Sequence, residues 1–147
     1  LSYVYRLDEK YWLMMLDSCM CEPVHETGGK LSEETVAWMK TQLEEAKKQG
    51  VTVIPVSHHN LLDESTLYPE ECTIENTKEV TALLEAYGVP VYLSGHLHLQ
   101  RIKKHTSNLN TPGGYGIREI VTSPLPMAPC QYSILNWMAA CPTIQKR

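Results

Sequence analysis

The spacing of apolar positions changes several times along the chain, and each change predicts an element. Residues 3–7 and 11–16 are short apolar or alternating runs separated by Asp8-Glu9-Lys10. That pattern predicts a hairpin with a polar turn and a largely buried second strand. Residues 17–30, with Pro23, Gly28 and Gly29, read as a loop. From Ser32 the period becomes helical. Val36, Met39, Leu43 and Ala46 share one face, Ser32 stands at the N-cap, and Glu33 and Glu34 occupy the first turn. Lys47, Lys48 and Gly50 mark the helix end. The β-branched run 51–57 predicts a short buried strand, with Pro55 at an edge, a bulge or a place where no ladder donor is needed.

A second cycle follows. Residues 61–75 are rich in polar and turn residues and read as a loop, and Asn76-Thr77-Lys78-Glu79 reads as a capping box with Glu79 reaching back to Asn76. Val80, Leu83, Leu84 and Tyr87 then form an apolar helical face that Gly88 ends, and 89–94 is the next strand. Residues 100–115 read as a polar loop, and 116–123 and 132–137 as late strands around a proline-rich connection. No internal repeat or linker divides the chain. The alternation predicts an α/β layered fold, with the terminal strand pairs leaving room for antiparallel pairing.

Both central strands end in histidine, as His58-His59-Asn60 and as Gly95-His96-Leu97-His98. In α/β folds, functional groups gather at the carboxyl ends of strands, so these two ends can be neighbours. In extended chain His96 and His98 would face one pocket while Leu97 turned into the core. Gly95 would serve an unusual backbone angle or a close approach. Three imidazoles converging on one pocket suit Zn, Fe, Mn or Co ions. His59 would point away from His58 and act as a substrate-side or supporting group. His25 and His105, in polar segments, read as solvated.

Composition narrows the class. The 147 residues are 43% hydrophobic with a net charge of −4, which describes one globular domain with enough apolar material for a core. No apolar run approaches membrane-spanning length, and the mild acidity argues against a nucleic-acid patch. Five cysteines cannot all pair internally, and free thiols suit a reducing, cytoplasmic setting. Cys19-Met20-Cys21 with His25 could form a zinc site, but the spacing is not that of the usual motifs, so scattered thiols are the preferred reading.

These features together resemble the calcineurin-like metallophosphoesterases, in particular the bacterial branch similar to cyclic-nucleotide phosphodiesterases. The resemblance rests on an ordered set: a strand ending Leu16-Asp17-Ser18, then Gly29-Lys30-Leu31 and a helix with Trp38 and Leu43, then His58-His59, then Gly95-His96-Leu97-His98. It runs over residues 1–137. It implies that His58 and His96 bind one metal and His98 another, with His59 and Asn60 on the substrate side or behind the ligands. Asn60 stands where the family usually has proline. Asp17 belongs to the resemblance but not to its ligand set.

The family's early Asp-x-His, Gly-Asp and Gly-Asn-His motifs do not occur in this chain. The resemblance therefore implies that residues 1–147 are the C-terminal portion of one metallophosphoesterase domain, about half of a four-layer α/β/β/α sandwich with mixed sheets. It implies two metal ions (Fe, Mn or Zn), which activate a hydroxide that hydrolyses a phosphate ester in the intact protein. The substrate would be a small-molecule phosphate ester or a phosphoprotein, and this chain alone would turn over little. The missing N-terminal half, or self-association through an exposed sheet, would complete the structure. The alternative is a non-catalytic partner-binding module on the same scaffold.

Overall fold

The computed structural model describes residues 1–21, 27–63, 69–105, 116–126, 130–138 and 141–146. The alternating runs form β1 (Tyr3–Arg6) and β2 (Tyr11–Met15), an antiparallel pair in which Tyr3 faces Met15 and Tyr5 faces Leu13. The Asp8 carboxylate closes the turn by accepting from the backbone N–H groups of Lys10 and Tyr11 at 2.7 and 2.8 Å. Helix α1 (Glu33–Gln49) starts where the Ser32 hydroxyl accepts from Thr35 N–H at 3.1 Å. It ends at Gly50, whose φ of 68° is the left-handed value a side chain would resist. Met39, Leu43 and Ala46 are its buried stripe.

Strand β3 (Thr52–Val56) lies parallel to β2, and β4 (Val91–Ser94) lies parallel to β3. Pro55 therefore sits inside the sheet. Thr52 donates to Lys10 on the β2 side, whereas Ser57 donates to Leu93 on the β4 side. Pro55 shares the phase of Ser57, so its missing donor falls where β3 and β4 share the single register pair Val56↔Leu93. Between them run the one-turn α2 (Pro69–Cys72), inside a segment that reads as loop, and α3 (Thr77–Ala86).

Asn76 is the N-cap residue of α3 and Glu79 reaches back to its Nδ2 at 3.4 Å, but the reciprocal bonds of a capping box are absent. The Asn76 side chain makes no cap hydrogen bond. Its amide instead clamps the backbone of Leu31, accepting from N–H at 3.1 Å and donating to the carbonyl at 2.9 Å. Tertiary demand has taken the side chain that local chemistry assigned to the helix start.

The six-stranded sheet has the order β1-β2-β3-β4-β6-β5, with β5 (Arg101–Lys104) antiparallel to β6 (Arg118–Val121). Strand β5 lies in the stretch that reads as polar loop. It is an edge strand whose Arg and Lys side chains keep that edge in water, so it lacks the apolar alternation that marks a strand. Strands β7 (Ser133–Met138) and β8 (Cys141–Lys146) form a separate antiparallel pair, the second of them in a tail too polar to announce itself.

The core follows from these alternations. Trp12, Met14, Val53 and Tyr92 face α1 and α3, where Leu43, Ala46, Val80 and Leu84 meet them. Each such large apolar side chain contributes about 1.5–3 kcal/mol on burial. Ile54, Val91 and Ile120 face the other way, partly covered by Leu135 of β7, while Tyr3 and Tyr5 on the same face of β1 stay exposed. The fold is thus a mixed α/β layered one, as the alternation predicted. Among the described residues no helix is long and apolar enough to cross a membrane.

Candidate metal centre

Because β3 and β4 are parallel neighbours, their following loops leave the sheet at the same end. His58 follows β3 by two residues and His96 follows β4 by two. The ladder continues past both strands through Gly95 N–H to the His58 carbonyl at 3.1 Å. The rings consequently meet: His96 Nδ1 and His58 Nε2 are 2.9 Å apart and the ring centroids 4.8 Å. His59 joins them, with centroids 4.9 Å from both. Among the described residues these three form the group able to hold a metal ion, their ligand atoms all within 4.8 Å of one another.

The three are not equivalent. His59 is 3% exposed. Its Nε2 lies 3.0 Å from the Thr27 carbonyl, which can only accept, so Nε2 carries the proton. Its Nδ1 then accepts from Ser18 Oγ at 2.9 Å, while Ser18 Oγ accepts in turn from His59 N–H at 3.3 Å. Both of its ring nitrogens therefore have hydrogen-bond partners. Burial pushes its pKa below the usual 6.5, and the neighbouring imidazoles of His96 and His58 push the same way against the Thr27 carbonyl. Burial likewise lowers His96, followed by its proximity to the His58 imidazole. Both shifts favour the neutral imidazole, the form that binds metal.

Gly29 makes room for this arrangement. A Cβ there would meet His59 Cγ at 2.3 Å, Nδ1 at 2.5 Å and Cβ at 2.7 Å. The strand-like bridges Cys19↔Gly29 and Gly29↔Ile74 hold the glycine against the ring, and Asn60↔Thr73 ties the histidine loop to the same layer. Gly95, by contrast, has ordinary space, since a Cβ would lie 3.8 Å from the His58 carbonyl oxygen. The unusual backbone expected of Gly95 is carried by its neighbours: φ is 64° at His96 and 53° at His98. Left-handed non-glycine residues cost on the order of 1–2 kcal/mol each and cluster at functional sites.

That conformation replaces the extended one on which a shared pocket for His96 and His98 depended. Leu97 is half-buried rather than in the core, and its N–H turns back to the Gly95 carbonyl at 2.8 Å. His98 is exposed and lies outside the group of three, its carbonyl accepting from Ser123 Oγ at 3.3 Å. Asn60 is 0% exposed. Its Nδ2 donates to Ser94 Oγ at 2.9 Å and the Gly95 carbonyl at 3.3 Å, while its buried Oδ1 has no hydrogen-bond partner. His105 is paired with Glu85 at 2.8 Å rather than simply solvated. His25 lies outside the described residues, and the exposed Cys19 and Cys21 belong to no group of metal-ligating side chains among those described.

The donor set fits part of a metal site. Two nitrogens bound tetrahedrally at about 2.0–2.1 Å to zinc lie about 3.3 Å apart. His58 Nε2 and His96 Nδ1 need open only a few tenths of an ångström from 2.9 Å, with an ion in place of their shared proton. Glu119 was not singled out from sequence. It is 0% exposed, and its carboxylate accepts from Leu61 N–H, Leu62 N–H and Ser94 Oγ at 2.7, 2.6 and 2.6 Å.

Compared with solved structures, the chain is similar to a dimetal phosphatase from Danio rerio, at a TM-score of 0.76 and 13% sequence identity. The match covers 99% of this chain and 57% of that one, so the chain spans a little over half the length of that phosphatase. At that identity the likeness establishes the fold. No protein-family model and no curated protein matches the chain.

Proposed function

We propose that this chain supplies the histidine side of a two-metal phosphoesterase centre, of the bacterial type similar to cyclic-nucleotide phosphodiesterases. The observation that carries the reading is the meeting of the His58 and His96 rings at the ends of two adjacent parallel strands, on a fold similar to that of a dimetal phosphatase. His58 and His96 would hold one ion, and His98, which lies outside that group in the structure, would belong to a second, each ion being Fe, Mn or Zn. A bound ion pair polarises the phosphoryl oxygens and lowers the pKa of an attacking water.

The chain's own residues do the rest. His59, locked by Ser18 and Thr27, holds the back of the His58 ring. Asn60 ties the first histidine loop to Ser94 and Gly95 at the foot of the second. Small phosphate esters or phosphoproteins are the substrate class. The apolar sheet face carrying Tyr3 and Tyr5 is covered by further polypeptide, either a complementary N-terminal half or a second copy. Exposed thiols at Cys19, Cys21 and Cys130 suit a reducing cytoplasm.

The test is phosphoesterase activity with Mn²⁺ and chromogenic mono- and diesters. With the complementary half supplied, turnover should vanish in His58→Ala and His96→Ala; turnover equal to wild type in both contradicts the reading. Robust turnover by the 147-residue chain alone contradicts the incomplete cage. Metal binding with no turnover under any condition favours a non-catalytic binding module.

A further inference from the structure

We propose that Glu119 is a positioning residue that sets the spacing of the two histidine loops and so the geometry of the His58–His96 pair. A carboxylate with no exposure is costly unless its oxygens are filled, and an apolar residue of similar volume would serve packing as well or better. Stability alone does not explain it. Its partners do.

Leu61 and Leu62 follow His58 by three and four residues on the loop after β3, and Ser94 precedes His96 by two at the end of β4. Glu119 itself belongs to β6, opposite Tyr92 in the ladder. One side chain from a third strand therefore grips both loops at once. The proton directions are fixed, because two partners are backbone N–H groups that can only donate. Ser94 Oγ donates to Glu119 and is free to accept from Asn60 Nδ2, which extends the grip to the residue two after His58. A glutamine at 119 could satisfy only one of Leu61 and Leu62, since its amide group would face the other N–H donor to donor. The histidine loops would then separate or shift.

The consequence for metal rests on the reading above, whereas the geometry does not. The experiment therefore reads both. Co²⁺ is titrated into the protein and its visible absorption followed, and long-range ¹H–¹⁵N spectra of the metal-free protein report the His58–His96 hydrogen bond. Glu119→Gln should weaken Co²⁺ binding about 10–100-fold, the range for residues that orient ligands, and should abolish the apo His58–His96 signature. Ile120→Ala, a buried neighbour on the same strand, serves as the stability control and should leave both within twofold.

If Glu119→Gln does not fold, Ser94→Ala, which removes only the hydroxyl between Glu119 and Asn60, decides the matter. It should move both readouts in the same direction by a smaller factor. Unchanged Co²⁺ affinity and unchanged imidazole signals in the folded variant overturn the proposal. A wild-type protein that binds no Co²⁺ but loses its imidazole signature in Glu119→Gln upholds the positioning role and removes the metal reading instead.

Discussion

Gly29→Ala isolates the packing behind the histidine cluster. The added Cβ would stand 2.3–2.7 Å from Cγ, Nδ1 and Cβ of His59, well inside van der Waals contact. Two of those atoms are at the root of the side chain, so spinning the ring about its own bond does not relieve the clash. The side chain must swing at χ1 or its backbone must move. Either motion breaks the bonds from His59 to Ser18 Oγ at 2.9 Å and to the Thr27 carbonyl at 3.0 Å.

Two hydrogen bonds at about 1 kcal/mol each, with a buried nitrogen left unpaired at about 1–3 kcal/mol, give a loss of about 3–5 kcal/mol. For a chain of this size each kcal/mol lowers Tm by about 2–4 °C, so a fall of about 6–20 °C is expected. Thermal unfolding by circular dichroism measures it. The double variant Gly29→Ala/His59→Ala should cost less than the two single changes summed, because removing the ring removes the collision. A Tm within about 3 °C of wild type for Gly29→Ala, or strict additivity in the cycle, would refute the reasoning.

Other outcomes follow from the same geometry. Gly95→Ala, with only an ordinary contact at 3.8 Å, should change stability by less than about 0.5 kcal/mol in a urea melt. Tyr92→Phe removes the buried hydroxyl that donates to Ser57 Oγ at 2.8 Å, and should cost about 1 kcal/mol by the same method. Stability should also depend on pH through His59 and His96, both held below 6.5 in the folded protein chiefly by burial. The unfolded chain binds protons first, so this contribution is complete above about pH 6.5, is lost as pH falls through the folded values, and is absent in His59→Ala to the extent that His59 carries it. Urea midpoints between pH 8 and pH 5 check the direction; a midpoint that rises on acidification contradicts it.

Much of the scaffold was legible because local chemistry and tertiary demand agree there. Ser32, the Met39/Leu43/Ala46 stripe and Gly50 specify α1 from within its own residues, and the turn at Asp8 specifies the hairpin. The meeting of the His58 and His96 loops followed from two strand ends of like kind. What could not be read depended on partners distant in sequence. Arg101–Lys104 is a strand only because β6 lies beside it. Asn76 abandons its cap for Leu31, across 45 positions. Glu119 sits in a run that reads as an ordinary alternating strand, and its burial is set by Leu61 and Leu62 folding over it, 58 and 57 positions away. Gly29 read as a motif glycine, but its cause is the ring of a residue 30 positions on. The bend at His96 and His98 carried no signal, since glycine at 95 suggested the strain lay there.

The central claim is that His58 and His96 share an ion. Anomalous X-ray diffraction from crystals of the protein grown with Zn²⁺ tests it most directly. The expected result is a zinc peak about 2.0–2.1 Å from both His58 Nε2 and His96 Nδ1, with those nitrogens opened beyond 2.9 Å and His59 still bonded to Ser18 and Thr27. A zinc-saturated crystal in which the two rings remain hydrogen-bonded to each other, with the ion elsewhere, would contradict the account.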